Sequence, residues 1–175
     1  LSPKTHSSLG WKTPEKPYSF AKNVNSIPLV ASEIPSAQKH YPIIFPDLEK
    51  GGPIAVFSTE EDKNPFVSED GMWSKDCYIP AYLRRYPIAT VKGDKGKVAI
   101  VVDKSSDGII ENAELQFFDG DQLSAWGKSL VDFSVQYEQD VYETQLFMEK
   151  LRELNLLTAK HVGQTIGGED KAYAN

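Results

Sequence analysis

The chain has 175 residues, 40% of them hydrophobic and 25% charged, which suits one globular domain long enough to bury a real core. A net charge of −6 argues against a general nucleic-acid binder, which would be basic. The single cysteine, Cys77, excludes an intrachain disulfide, and no apolar run approaches the ~18 residues of a membrane span.

Taken in order, residues 1–26 are rich in Pro, Lys, Ser and Asn and lack sustained periodicity. They read as an extended, solvated basic arm, with Lys4, Lys12, Lys16 and Lys22 facing only Glu15, pinned to the body by Trp11, Tyr18 and Phe20. No signal peptide is legible, which on these signals places the protein in the cytoplasm. The chain opens at Leu1 rather than Met, so a segment is expected upstream.

Residues 27–157 read as a single α+β domain. Ile27–Ala31 suits a short strand with Pro28 at an edge, and Ser32 can cap a short helix that ends at Tyr41-Pro42. Ile43–Phe45 and Pro53–Ser58 then form two strands around a turn at Gly51-Gly52. Residues 59–76 are polar, with Phe66-Val67 as a short strand and Asp70-Gly71 as a turn.

The pattern then returns. IPSAQKHYPI (Ile34–Ile43) and IPAYLRRYPI (Ile79–Ile88) share their Ile-Pro opening and Tyr-Pro-Ile close. Eight of 25 positions match between Ile34–Ser58 and Ile79–Asp103, where average usage gives about one or two, so the sequence reads as an internal duplication. Repeat A covers 34–71 and repeat B 79–120. Each is expected to fold as helix, strand, strand, strand, with an Asp-Gly turn followed by a tryptophan (Trp73, Trp126). In repeat B the hairpin turns at Gly93-Asp94-Lys95-Gly96, Val98–Val102 is expected as a central strand, and Leu115–Phe118 as a further one. Short connections favour antiparallel pairing, so the two units should build one antiparallel sheet.

From 121 to 157 the period is helical. Leu123, Leu130, Tyr137, Thr144 and Leu151 recur at sevens, with Trp126, Phe133, Phe147 and Leu154 interleaved and Asp140 interrupting. The length predicts helices with a bend or break near Gln136–Asp140, packed on one sheet face. Residues 158–175 read as a polar tail.

Several of these segments resemble the bacterial SapC family. They are HYPIIF (His40–Phe45), NPFVSEDGMW (Asn64–Trp73), YIPAYLRRYPI (Tyr78–Ile88), the strand ending at Asp103, and FFDGD (Phe117–Asp121). They come in family order, and the likeness runs from about His6 to Leu157. The resemblance implies a link to a paracrystalline surface layer, hence the cell surface, or an accessory role beside cupin-type oxygenases and flavin halogenases. It brings no established catalytic residues. Members usually run longer, so it also implies a C-terminal module beyond Asn175.

Two constellations carry candidate chemistry. Tyr78, Tyr82, Arg84 and Arg85, with Trp73 nearby, combine aromatic contact area with guanidinium forks suited to binding a partner. The bland account puts the tyrosines in the core and pairs the arginines with Glu69, Asp70 or Asp76 of the preceding acidic loop. The second runs from Asp103 to Glu114. Asp103, Ser105, Asp107 and Glu114 fit a calcium loop with Gly108 at its turn, but a strand pattern precedes it where an EF-hand needs a helix, so a polar hairpin loop fits better. No other cofactor is implied. His6, His40 and His161 are scattered, Cys77 reads as a small buried residue, and no nucleophile elbow, phosphate loop or dinucleotide fingerprint occurs.

The reading is a non-enzymatic protein that binds a protein or peptide partner in a surface-layer or modification-accessory setting. A structural surface-array component and an enzyme subunit acting with an oxygenase or halogenase are the competing readings. The sequence leaves the oligomeric state open.

Overall fold

A computed structural model describes residues 1–47, 51–92, 98–158, 163–166 and 169–172. The chain opens with α1 (Pro3–His6) and β1 (Leu9–Trp11), then β2 (Ser26–Pro28). A 3-10 turn at Ala31–Glu33 runs into α2 (Ile34–Ala37), followed by β3 (Ile43–Ile44) and β4 (Ile54–Val56). The second unit gives α3 (Ala81–Arg84), β5 (Ile88–Lys92) and β6 (Val98–Val102). Four short strands come next: β7 (Ile109–Glu111), β8 (Leu115–Gln116), β9 (Phe118–Asp119) and β10 (Gln122–Leu123). They lead into the long helix α4 (Ala125–Glu153), and the hairpin β11 (Gly163–Ile166) and β12 (Glu169–Ala172) lies in the stretch read as tail.

The fold is α+β, and every strand pair among the described residues is antiparallel. Both Ile-Pro…Tyr-Pro stretches give a short helix that ends before the Tyr-Pro step and a hairpin that starts after it. In the second unit Pro80 caps the helix at its start, where a missing N–H costs nothing. The single sheet expected from the two hairpins does not form. β3 and β4 join β2 in the order β2-β4-β3, whereas β5 and β6 pair only with each other. Val98–Val102 is therefore not central. The third strands also differ from expectation: Val67 makes one isolated bridge to Trp73, and β8 pairs with β1. The repeat B turn at Gly93–Gly96 lies outside the described residues.

The hairpins also differ in register. Ile43 faces Ala55 in the first, so a 45-residue offset would set Ile88 opposite Ile100, yet Ile88 faces Val102. A slip of two residues is the smallest that keeps each side chain on its original face.

The N-terminal stretch is less detached than its composition suggests. β1 is the middle strand of the sheet β7-β1-β8. Tyr18 and Phe20 pack on a core cluster built from Tyr41, Phe57, Val67, Trp73 and Leu83. Lys22 meets Glu69 at 2.8 Å, so arm and acidic loop face each other.

α4 runs 29 residues without the expected break. No Gly or Pro falls between Lys128 and Glu153, and Asp140 sits at the helix margin, accepting from Gln136 at 2.9 Å and from Ser32 at 3.3 Å. Leu130, Tyr137, Thr144 and Leu151 do face inward, but Phe147 and Leu154 are exposed. The inward series interleaved with them is Gly127, Ser134, Val141 and Met148, one residue further along. Small residues there let the helix approach closely. Ser124 caps the helix by accepting from Gly127 N at 2.9 Å, and a Cβ on Gly127 would lie 2.2 Å from the Phe117 carbonyl oxygen.

Helix propensity alone says Gly127→Ala should stabilise by up to about 1 kcal/mol. The clash is with backbone rather than a flexible side-chain tip, so overpacking of about 1–3 kcal/mol should outweigh it. Chemical denaturation should show a net loss; a more stable variant would mean that the α4 start stands further from Phe117.

Candidate functional site

The recognition residues proposed from sequence converge where α3 meets α4, and the group that gathers them is one the sequence did not flag. Glu33, 6% exposed, ends the turn before α2. Its Oε1 accepts from the Tyr78 hydroxyl at 2.7 Å and from Ala81 N at 2.6 Å, and its Oε2 from Val30 N at 3.4 Å. Beside it Tyr41 donates its hydroxyl to the Tyr78 carbonyl and accepts from Trp73 Nε1 at 3.2 Å. Two side chains of the first unit thus hold the backbone that starts the second.

The arginines complete the junction. Arg84 donates from Nε to Ile79 O at 2.9 Å and from Nη2 to the Tyr78 hydroxyl at 3.3 Å, and lies 3.8 Å from Glu33. Its guanidinium covers the Phe133 ring of α4 at 5.3 Å. Arg85 sits between the rings of Tyr82 at 4.7 Å and Tyr137 at 4.6 Å, with Glu138 at 3.9 Å. Glu138 also accepts from the Thr90 hydroxyl, which ties β5 into the cluster. Neither arginine pairs with the acidic loop, which corrects the expected Glu69, Asp70 or Asp76 contacts; Glu69 takes Lys22 instead. Adjacent positions on a helix point about 100° apart, which gives the Arg84 side chain 43% exposure and the Arg85 side chain 18%. Trp73 is core, stacked on Phe66 and edge-on to Phe57, so it offers no surface to a partner. Tyr82 keeps an exposed edge.

Of the calcium-loop residues, Asp103 and Ser105 meet, but Asp103, Asp107 and Glu114 do not form a metal-holding group. Asp103 Oδ1 accepts from Ser105 N and Oγ at 2.9 and 2.7 Å, and Oδ2 from Tyr86 at 3.2 Å. The Ser105 bonds hold its carboxyl below the usual carboxylate range. Beyond Gly108 the chain is strand β7, paired to β1, where a calcium loop would have to wrap, and Glu114 lies past that strand. Among the described residues no group of three His, Cys, Asp or Glu could hold a metal.

Two surfaces of α4 remain. Val135, Tyr142 and Leu146, at 57%, 55% and 46% exposure, mark its outward face. On another face a groove of about 620 Å³ separates α4 from the ends of β2 and β4, lined by Leu29, Pro53, Ile54, Tyr137, Val141 and Met148. Little in the sequence pointed to Glu33, a lone acid ahead of Ile-Pro, or to Glu138, though the latter adjoins Tyr137 in the helical stripe.

Because Glu33 Oε1 serves two donors, Glu33→Ala should cost about 2–4 kcal/mol and Glu33→Gln, which keeps one acceptor oxygen, less. For the arginines, Arg85→Ala should cost about 2 kcal/mol through lost packing and cation–π contact, and Arg84→Ala about 1 kcal/mol. Urea midpoints of the four variants check this order; equal losses for Ala and Gln at position 33 would refute the acceptor role.

Burial pushes the phenols of Tyr41, Tyr78 and Tyr137 up to about 12, with the Glu33 bond adding to it at Tyr78. An unfolded tyrosine ionises near ~10, so the folded state holds these protons longer. Their contribution to stability should be whole below about pH 10 and vanish as pH rises toward 12. Denaturation midpoints read against absorbance at 295 nm test it, and a flat midpoint over that window would contradict it.

No curated protein and no solved structure matches the chain. Among the described residues no helix is long and apolar enough to cross a membrane. The motifs running from the arm to α4 are met by one family model, SapC, which matches residues 1–175, the whole chain, and the protein belongs to that family.

Proposed function

We propose that this SapC-family protein is a non-enzymatic binding protein whose partner polypeptide docks on the outward face of α4. The observation that carries the reading is the stripe of Val135, Tyr142 and Leu146, exposed on a helix whose opposite face is already packed. With half-buried Val131 the stripe advances by four, seven and four residues, a straight seam that suits a partner helix. Exposed apolar side chains in line, rimmed by charge, are the mark of an interaction surface. Asp132, Glu143 and Lys150 flank the stripe, and Lys128 at one end and Glu149 and Glu153 at the other close it, so with acids in excess an amphipathic helix with Lys or Arg flanks is the complementary occupant.

The Tyr78–Arg85 cluster supports this reading indirectly. Its arginines and tyrosines fix α4 against α3, so the cluster positions the docking helix, while Arg84 and the edge of Tyr82 remain at its margin. The setting we propose is that implied by the family: a surface layer, or an accessory part in protein or peptide modification.

Fluorescence anisotropy with two designed amphipathic helices, identical but for lysine or glutamate flanks, tests the surface. The lysine-flanked helix should bind and lose at least about tenfold in affinity on Leu146→Glu, with the melting temperature little changed. Benzoylphenylalanine at position 142 should capture the native partner in the host cell where the same group at 129 does not. Equal capture at both sites, or equal affinity for both helices, would sink the proposal.

A further inference from the structure

A different face of α4 borders the groove of about 620 Å³, a volume typical of sites for small molecules. Its sheet-side wall is unusual in composition. Pro28, Pro46 and Pro53 line it, and none has a backbone N–H. Leu29 N is already spent on the Pro53 carbonyl at 2.9 Å. An extended peptide pairs through backbone donors and acceptors, and these four positions offer it no donor. The side chains facing across it, Leu29, Ile54, Val141 and Met148, are apolar.

One residue that lines the groove carries a polar group with no hydrogen-bond partner among the described residues. Tyr137 is 5% exposed and lines the groove, yet no hydrogen bond joins its hydroxyl to any described residue. No buried, fully sealed side-chain polar atom among the described residues lacks a partner, so this hydroxyl reaches open space. The charged groups at the rim offset each other: Glu149 is exposed, and Arg152 donates from Nη2 to the Gly51 carbonyl at 2.9 Å. The lining as a whole favours neither an anion nor a cation.

The geometry points to a second binding site, between α4 and the Pro28–Pro53 wall, for an uncharged and largely apolar small molecule carrying a hydrogen-bond acceptor for Tyr137. Burial keeps the phenol protonated, up to about 12, so it stays a donor throughout the physiological range. None of the stripe's apolar residues lines the groove, and of the charges around the stripe only Glu149 does.

Nile red, neutral and bearing a carbonyl, is a suitable probe for the full chain. Titration should show saturable one-to-one binding with blue-shifted emission. Gln145→Trp, at the exposed rim, and Val141→Trp, deeper in, should each weaken it by about tenfold or more by filling the groove. Tyr137→Phe should weaken it by about three- to tenfold without lowering the melting temperature, since the hydroxyl has no internal bond to lose. Leu146→Glu should leave it unchanged. If Leu146→Glu removes binding while Gln145→Trp does not, the dye sits on the docking stripe and the groove is not a site. Binding that fails to saturate overturns the proposal too, and unaltered affinity in Tyr137→Phe removes the acceptor from it.

Discussion

The carboxylate of Glu33 is the interaction on which the assembly rests. Burying an ionised group costs several kcal/mol unless it is paired and hydrogen-bonded. Glu33 meets that condition through a tyrosine hydroxyl, two backbone amides and the nearby Arg84 guanidinium. Each partner comes from a place the fold must bring together: the entry to α2, the start of α3, and the arginine that reaches on to Phe133 of α4. Fixing that carboxylate fixes the approach of the two helix–hairpin units to each other. The units need not share a sheet, because polar contacts at their helix starts join them instead.

The same junction supports the long helix as one unbroken element. α4 is held near its middle by Arg84 and Arg85 through the rings of Phe133 and Tyr137, and about two turns after Tyr137, Thr144 accepts from Ala31 N at 2.8 Å. Ser134 donates its hydroxyl to Leu130 O within the helix, so its small side chain faces inward without an unmet polar group. Inward residues at alternating steps of three and four, small toward the N-terminal end and larger at Val141 and Met148, let one continuous helix follow two different surfaces.

Local rules were legible in the sequence and long-range choices were not. The Ile-Pro and Tyr-Pro steps marked helix starts and stops because proline acts on its own and neighbouring backbone. Which sheet a hairpin joins depends on residues far along the chain. That is why β1, a stretch of Leu-Gly-Trp inside a lysine-rich arm, went unread as the centre of a sheet: Gly10 faces both Ile110 and Gln116. Three residues carry no usable periodicity. The interleaved series of α4 holds only in its first half for a related reason. Trp126 and Phe133 do pack on core clusters, whereas Gly127 and Ser134 beside them carry no hydrophobic signal yet lie deeper, and Phe147 and Leu154 turn outward.

At the candidate site the sequence singled out residues that the fold gathers, but not the groups that gather them. Tyrosines beside arginines suit recognition of a partner, and they suit equally the stacking of guanidinium on aromatic rings within one chain. What separates the two is the supply of nearby acids and rings from other elements. Here Glu33, Glu138, Phe133 and Tyr137 provide it, from segments distant in sequence. With those groups engaged, what is left unmet among the described residues lies on the other faces of α4: exposed apolar side chains on the outside, and a groove-lining tyrosine whose hydroxyl has no acceptor. A helix fixed so firmly on one side loses little by leaving the others unsatisfied, and rigid presentation reduces the ordering cost that a binding surface would otherwise impose.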